Sequence, residues 1–147
     1  MSKNNNALSI GYAIGKTNWY LKTLINKLLR EEQCRITNEQ WLVLKVIDAN
    51  PGMSQTEVAE KSQKEKTNIT RIIDLLERSG CIERRKDERD RRFYRIHATE
   101  EGQEVLKTVV PITEKAEEIC TQSLSEKQIK EMIDSLNIVC DSIKKEL

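Results

Sequence analysis

The stretch Arg84-Arg85-Lys86-Asp87-Glu88-Arg89-Asp90-Arg91-Arg92 decides how this chain is read. Five arginines and one lysine share these nine residues with three carboxylates. A plain polybasic tail would not carry those acids. A folded loop that fixes its arginines would, because a carboxylate accepts two guanidinium hydrogen bonds in planar geometry. Short β-compatible runs flank it, Cys81-Ile82 before and Phe93-Tyr94-Arg95-Ile96 after. Thr99-Glu100-Glu101-Gly102 then opens a new periodic segment. The pattern predicts a β-hairpin with a cationic tip, set between helices. Such a tip suits a groove lined by phosphates.

Upstream of the hairpin, the spacing predicts a helix from Gln63 or Glu65 to Arg78. Ile69, Ile72, Ile73 and Leu76 fall at i, i+3, i+4 and i+7 and form one apolar face. At about 100° per residue the opposite face carries Lys64, Thr67, Arg71, Asp74 and Arg78, with Asn68 and Thr70 on its flanks. Gly80 is placed to end this helix in the left-handed conformation.

The other helix starts are marked by four capping-box patterns, Thr37…Gln40, Ser54…Glu57, Ser62…Glu65 and Ser125…Gln128. A first helix is expected from about Leu8 to Glu32, with a stripe of Ile10, Ile14, Leu21, Leu24, Ile25 and Leu28. A second runs from Asn38 to Asp48 and offers Trp41, Leu42, Leu44 and Val46 for burial. Asn50-Pro51-Gly52 reads as a turn, and a short third helix follows Ser54 with Val58-Ala59. After the hairpin come a helix from Glu100 to about Ser123, bent at Pro111, and a last one from Glu126 to about Lys145. The apolar stripe of the last helix, from Ile129 to Ile143, is nearly continuous.

The fold expected is mainly α with a small β-hairpin: a winged helix-turn-helix plus long helices. Lysine, arginine, asparagine and threonine are the residue types that reach phosphates and major-groove base edges. The candidate DNA contacts are Lys64, Lys66, Thr67, Asn68, Thr70 and Arg71 on the fourth helix, and Lys86, Arg89 and Arg91 on the wing. The wing would set arginine beside a minor groove, whose negative potential is strongest where it is narrow.

A chain of 147 residues can bury one good core and is short for two domains. No apolar run approaches bilayer length, and Met1-Ser2-Lys3-Asn4-Asn5-Asn6 has no signal-peptide core, so a cytoplasmic protein is expected. Cys34, Cys81, Cys120 and Cys140 lie far apart; all but Cys34 sit among apolar neighbours and are expected to be reduced core residues. With His97 as the one histidine, no metal site or cofactor is expected. No catalytic triad pattern or glycine-rich phosphate loop points to an enzyme. The net charge of +1 conceals an uneven distribution. Residues 61–98 hold twelve Lys/Arg against seven Asp/Glu, and residues 99–147 hold six against eleven. A basic middle and an acidic end are what a protein needs when one face meets a polyanion.

The chain resembles the MarR family of bacterial transcriptional regulators in Asp87-Glu88-Arg89-Asp90-Arg91-Arg92 followed by Ala98-Thr99-Glu100-Glu101-Gly102. The family pattern is Asp-x-Arg-Asp-x-Arg and then Leu-Thr-x-x-Gly. Thr37-Asn38-Glu39-Gln40-Trp41, Val58-Ala59-Glu60 and the run Ile69 to Gly80 are similar to its second, third and fourth helices. The resemblance implies one MarR-like domain over 1–147: a DNA-binding lobe at about 37–98, and a helical dimerisation region at about 7–34 and 100–147. It implies a homodimer on a pseudo-palindromic double-stranded DNA operator. Thr67, Asn68 and Arg71 would read the major groove. Asp87 would orient Arg89 in the wing, Arg89 would reach the minor groove, and Arg92 would join Asp87 in orienting the wing. Family members often bind phenolic or other small hydrophobic compounds where the dimer helices meet the lobes. Tyr12, Trp19, Tyr20 and Trp41 are the aromatic candidates for such a site. Ser62-Gln63-Lys64 departs from the family's Leu-Gly-Leu turn, and Ala98 stands where leucine is usual.

Dimerisation is also expected on physical grounds. The stripes on the first and last helices exceed what one small lobe can cover, and a twofold dimer would bury both. The reading is therefore a dimeric repressor released by a small ligand. Its competitors are a thiol-switched DNA-binding regulator and a winged-helix module that binds protein without DNA.

Overall fold

The computed structural model describes residues 9–147. Its elements run α1 (Ile10–Glu31), α2 (Asn38–Ala49), α3 (Gln55–Lys61), α4 (Lys66–Arg78), β1 (Ile82–Lys86), β2 (Tyr94–Ala98), α5 (Glu100–Thr121) and α6 (Glu126–Lys144). The expected helix start at Leu8 lies outside the described residues.

Three of the four capping boxes form. Thr37 with Gln40, Ser54 with Glu57 and Ser125 with Gln128 satisfy each other's backbone N–H groups. The fourth does not. Ser62 is the C-cap of α3, and α4 starts from Glu65 without a side-chain cap. The reason is the turn between them. Gln63 takes a φ of +53°, its N–H bonds the Glu60 carbonyl at 3.2 Å, and the Lys64 N–H bonds Ala59 at 3.1 Å. That is a Schellman ending of α3, with glutamine where glycine is preferred.

The core gathers one face from nearly every element. Val43, Leu44 and Ile47 of α2, Val58 of α3, and Ile69, Ile72, Ile73 and Leu76 of α4 are buried with Ile25, Leu28 and Leu29 of α1. Val109, Ile112 and Ala116 of α5 close it. The expected burial of α2 is thus partly corrected. Leu44 is buried, but Leu42 is exposed and Trp41 and Val46 are half-buried, because the inward face is set by Val43 and Ile47.

β1 and β2 form an antiparallel hairpin in the register Ile82↔Ala98 to Lys86↔Tyr94. Alternation sends Ile82 and Ile96 into the core and leaves most of their neighbours outside. Met53 adds a short bridge to Ile96, so the turn after α2 docks on the wing's inner strand. Gly80 ends α4 at φ +78°, and Thr99 caps α5 while its hydroxyl donates to the Gly80 carbonyl at 2.5 Å. A Cβ on Gly102 would run into the Cys81 carbonyl, which explains a glycine inside the first turn of α5.

α5 runs unbroken through Pro111. Among the described residues none of α6 is buried, and Met132, Ile133, Leu136, Ile138 and Ile143 lie exposed on it. Ile10 and Ile14 of α1 are exposed as well. The cysteines depart from expectation for the same reason. Cys81 is buried, but Cys120 and Cys140 are exposed, because they stand on stretches of α5 and α6 that the other described residues leave uncovered. No helix is long and apolar enough to cross a membrane among the described residues.

Candidate nucleic-acid interface

α4 stands on the core by its isoleucine face and turns the other face outward. Lys66, Thr67, Thr70 and Arg71 are exposed there, with Asn68 half-buried beside them. Glu65, the N-cap of α4, makes no side-chain cap bond among the described residues.

These polar residues are tied to the two preceding helices. Gln55, the first residue of α3, donates to the Thr70 hydroxyl at 2.7 Å, and that hydroxyl donates to the Lys66 carbonyl at 2.9 Å. Glu39 of α2 accepts from Arg71 Nη2 through Oε2 at 3.3 Å, and its Oε1 lies 3.7 Å from Lys64 Nζ. Arg71 Nη2 also donates to Asn68 Oδ1 at 3.1 Å. Lys64 is largely covered, its side chain only 16% exposed, so it is a less open cation than its neighbours on α4.

In the wing, carboxylates sort the arginines into fixed and free. Arg84 turns back to α4, where Nη2 meets Asp74 at 2.7 Å and Nη1 meets both Glu77 oxygens at 3.2 Å. It fastens β1 to the helix. Arg85 pairs with Glu83. Asp90 accepts from the Arg92 backbone N–H at 3.1 Å, from Nε at 3.0 Å and from Nη2 at 2.8 Å. Asp87 Oδ1 caps the tip, accepting the N–H of Arg89 at 2.7 Å and of Asp90 at 3.3 Å. Its Oδ2 accepts from Arg95 Nε at 2.6 Å. Arg95 Nη1 in turn approaches Glu57 at 3.6 Å, linking the wing to the start of α3. Lys86, Arg89 and Arg91 are exposed and make no ion pair among the described residues.

These bonds shift the acids in one direction. The Arg89 N–H and then the Arg95 guanidinium hold the Asp87 carboxyl below the usual carboxylate range. The Arg92 side chain does the same to Asp90. Glu57 is lowered by its cap bonds with Ser54, with a smaller contribution from Arg95.

A second feature lies between α1, α2 and α5. A cavity of about 280 Å³ is lined by residues including Leu21, Ile25, Asn38, Trp41, Thr113 and Ala116. Asn38 is 3% exposed, and its side-chain oxygen has no hydrogen-bond partner among the described residues. Such an orphan is rare in a folded protein.

The MarR family model matches residues 36–93, which span α2, α3, α4, β1 and the wing tip. The chain belongs to the MarR family. The HTH-type transcriptional regulator BilQ of Clostridioides difficile (strain CD3) is 28% identical over 139 residues, covering 95% of this chain and 93% of that protein. The transcriptional repressor MprA of Escherichia coli (strain K12) is 35% identical over 86 residues, 58% of this chain, which matches about half (49%) of that repressor's length. Among solved structures, the S. aureus MepR–DNA complex superposes with a TM-score of 0.81 at 25% identity, covering 92% of this chain and 98% of that one.

Within this MarR-family framework the sequence-derived candidates fall into groups. Lys66, Thr67, Asn68, Thr70 and Arg71 come together on α4, and Lys86, Arg89 and Arg91 come together around the wing tip. Trp41 lines the cavity. Tyr12, Trp19 and Tyr20 do not; they are exposed on the first half of α1, where Trp19 and Tyr20 meet edge to face at 4.9 Å. Sequence reasoning missed Glu39, Gln55, Arg84 and Arg95. Each acts through a partner on another element, a relation that spacing along one helix cannot reveal. The one available signal was that Arg95 and Asp87 flank a hairpin tip and so must come close.

Proposed function

We propose that this MarR-family regulator is a homodimeric, sequence-specific DNA-binding repressor acting in the cytoplasm. The observation that carries the reading is the division of cations. Acids pair with Arg84, Arg85, Arg92 and Arg95, and Lys86, Arg89 and Arg91 are left exposed and unpaired among the described residues in a wing that follows directly on the polar face of α4. In this reading Thr67, Asn68 and Arg71 read the major groove, and Lys66 and Thr70 hold phosphate. Arg89 enters the minor groove beside it, with Lys86 and Arg91 on the flanking backbone. The likeness to the MepR–DNA complex supports it, and the match to the MprA repressor supports the sign of regulation.

The lobe would be residues of about 37–98, and the two flanking helical regions would pair across a twofold axis. The exposed stripe of α6 and the exposed start of α1 support that assembly, since monomers rarely leave so much apolar surface in water. The cavity beside Trp41 is the proposed effector site, for a small hydrophobic or phenolic compound. Its walls are mostly apolar, with Trp41 among them, and Asn18, Lys22 and Glu117 supply polar groups. A ligand that favours a lobe spacing unsuited to the operator would release DNA by its difference in affinity for the two states. Gel-shift titration of the purified protein on duplex DNA, with and without competitor, tests the reading. Specific complexes that weaken steeply with salt are expected, and salt-insensitive or absent binding would contradict it.

A further inference from the structure

We propose that Glu39 is a specificity-determining residue whose carboxylate competes with DNA for Arg71 and Lys64. The proposal rests on the DNA-binding reading above. Glu39 occupies the first turn of α2, where the helix N-terminus favours a carboxylate. Its two oxygens diverge, Oε2 to Arg71 Nη2 at 3.3 Å and Oε1 toward Lys64 Nζ at 3.7 Å. Arg71 Nη2 has a second acceptor in Asn68 Oδ1 at 3.1 Å. Two acceptors within the protein therefore hold that nitrogen. A bidentate contact to a guanine edge needs neighbouring guanidinium N–H groups, Nη2 among them in either orientation of the fork. Arg71 must therefore give up at least one internal bond to read a base. A guanine edge with two acceptors compensates that loss. A base edge with a single acceptor does so poorly, and the released carboxylate then stands beside the DNA backbone. Discrimination thus comes partly from a penalty on wrong sites. Glu39 lowers affinity for all duplexes and lowers it most for the wrong ones.

The test compares the parent, Glu39→Ala, Glu39→Gln, Arg71→Ala and the Glu39→Ala/Arg71→Ala double variant. Each is challenged with the duplex that the parent selects from a random-sequence library and with a scrambled duplex of equal length. Dimer mass and melting temperature are checked alongside. Glu39→Ala is expected to bind scrambled DNA several-fold more tightly than the parent. Its salt dependence should steepen, and its preference for the selected duplex should fall by less than that several-fold gain, because the selected duplex also binds somewhat more tightly. Glu39→Gln, which keeps an acceptor for Arg71, should retain most of the preference. In the Arg71→Ala background the same change should leave the preference unaltered. A preference in Glu39→Ala equal to or greater than the parent's, or an equal fall in the Arg71→Ala background, overturns the proposal alone. A parent that selects no sequence overturns the DNA-binding reading and this proposal with it.

Discussion

The Asp87 carboxylate is bound to the Arg95 guanidinium, Oδ2 to Nε at 2.6 Å, and touches Arg89 only through its backbone N–H. The acid therefore shapes the wing tip and leaves the Arg89 side chain exposed. The two residues should fail differently when changed. Arg89→Ala is expected to lose roughly 1–3 kcal/mol of operator binding, the scale of a good arginine contact, with the hairpin intact. Asp87→Ala should also lose affinity, but through a looser tip: faster amide exchange at Arg89 and Asp90 should accompany it. Equal operator affinity of Arg89→Ala and the parent would remove the wing from the interface.

Acid should loosen the same tip. The bonds from Arg89 and Arg95 lower the Asp87 carboxyl from its ordinary value of 3.8. A folded value below the unfolded one adds stability that is complete above the unfolded value and is lost as pH falls through the folded one. Asp90 and Glu57 are lowered as well, so all three act in one direction. Wing amide protection is expected to be flat at and above about pH 5 and to decline below the ordinary Asp range near 3.9. In Asp87→Asn that decline should shrink. A decline centred near neutral pH would contradict the assignment.

Two backbone positions make opposite predictions for stability. Gln63 holds φ +53° at the end of α3, so Gln63→Gly should stabilise the fold by roughly 1 kcal/mol. Gly102→Ala should destabilise it by about 1–3 kcal/mol or more, because the new Cβ meets the Cys81 carbonyl, a backbone atom held by the Thr99 N–H at 3.0 Å. Urea denaturation of both variants measures the difference. A destabilised Gln63→Gly would mean the side chain contributes more than its backbone strain costs.

Local chemistry made much of the fold legible. The Thr37, Ser54 and Ser125 boxes start helices where the pattern placed them, and Gly80 ends α4 at positive φ. The Ser62 box misled because a Schellman ending of α3 had a prior claim on the same residues, disguised by glutamine at the glycine position. Cys120 and Cys140 misled because apolar neighbours in sequence do not distinguish a core from an exposed apolar helix face. The exposed polar face of α4 followed from helical periodicity alone. The pairs that brace it, Glu39 with Arg71 and Gln55 with Thr70, bridge 32 and 15 residues, and nothing local encodes such distances.

The cavity predicts which tryptophan reports an effector. Trp41 lines it, whereas Trp19 is 61% exposed on α1. Titration with aromatic carboxylates such as salicylate is expected to quench Trp41 fluorescence and weaken operator binding. Quenching should survive in Trp19→Phe and vanish in Trp41→Phe. A panel that neither quenches nor shifts operator affinity would contradict a phenolic effector.

The most direct measurement is selection of genomic fragments or random duplexes by the purified protein at about 0.15 M salt. Footprinting and a binding series over salt concentration would follow. The expected result is an inverted repeat with half-sites roughly one helical turn, about 10 base pairs, apart or a multiple of that. One dimer should bind per repeat, and the salt slope should flatten by about one for each exposed cation of α4 or the wing that is replaced. Retention of fragments with no shared sequence, or binding that Arg71→Ala and Arg89→Ala leave unchanged, would contradict operator recognition by α4 and the wing.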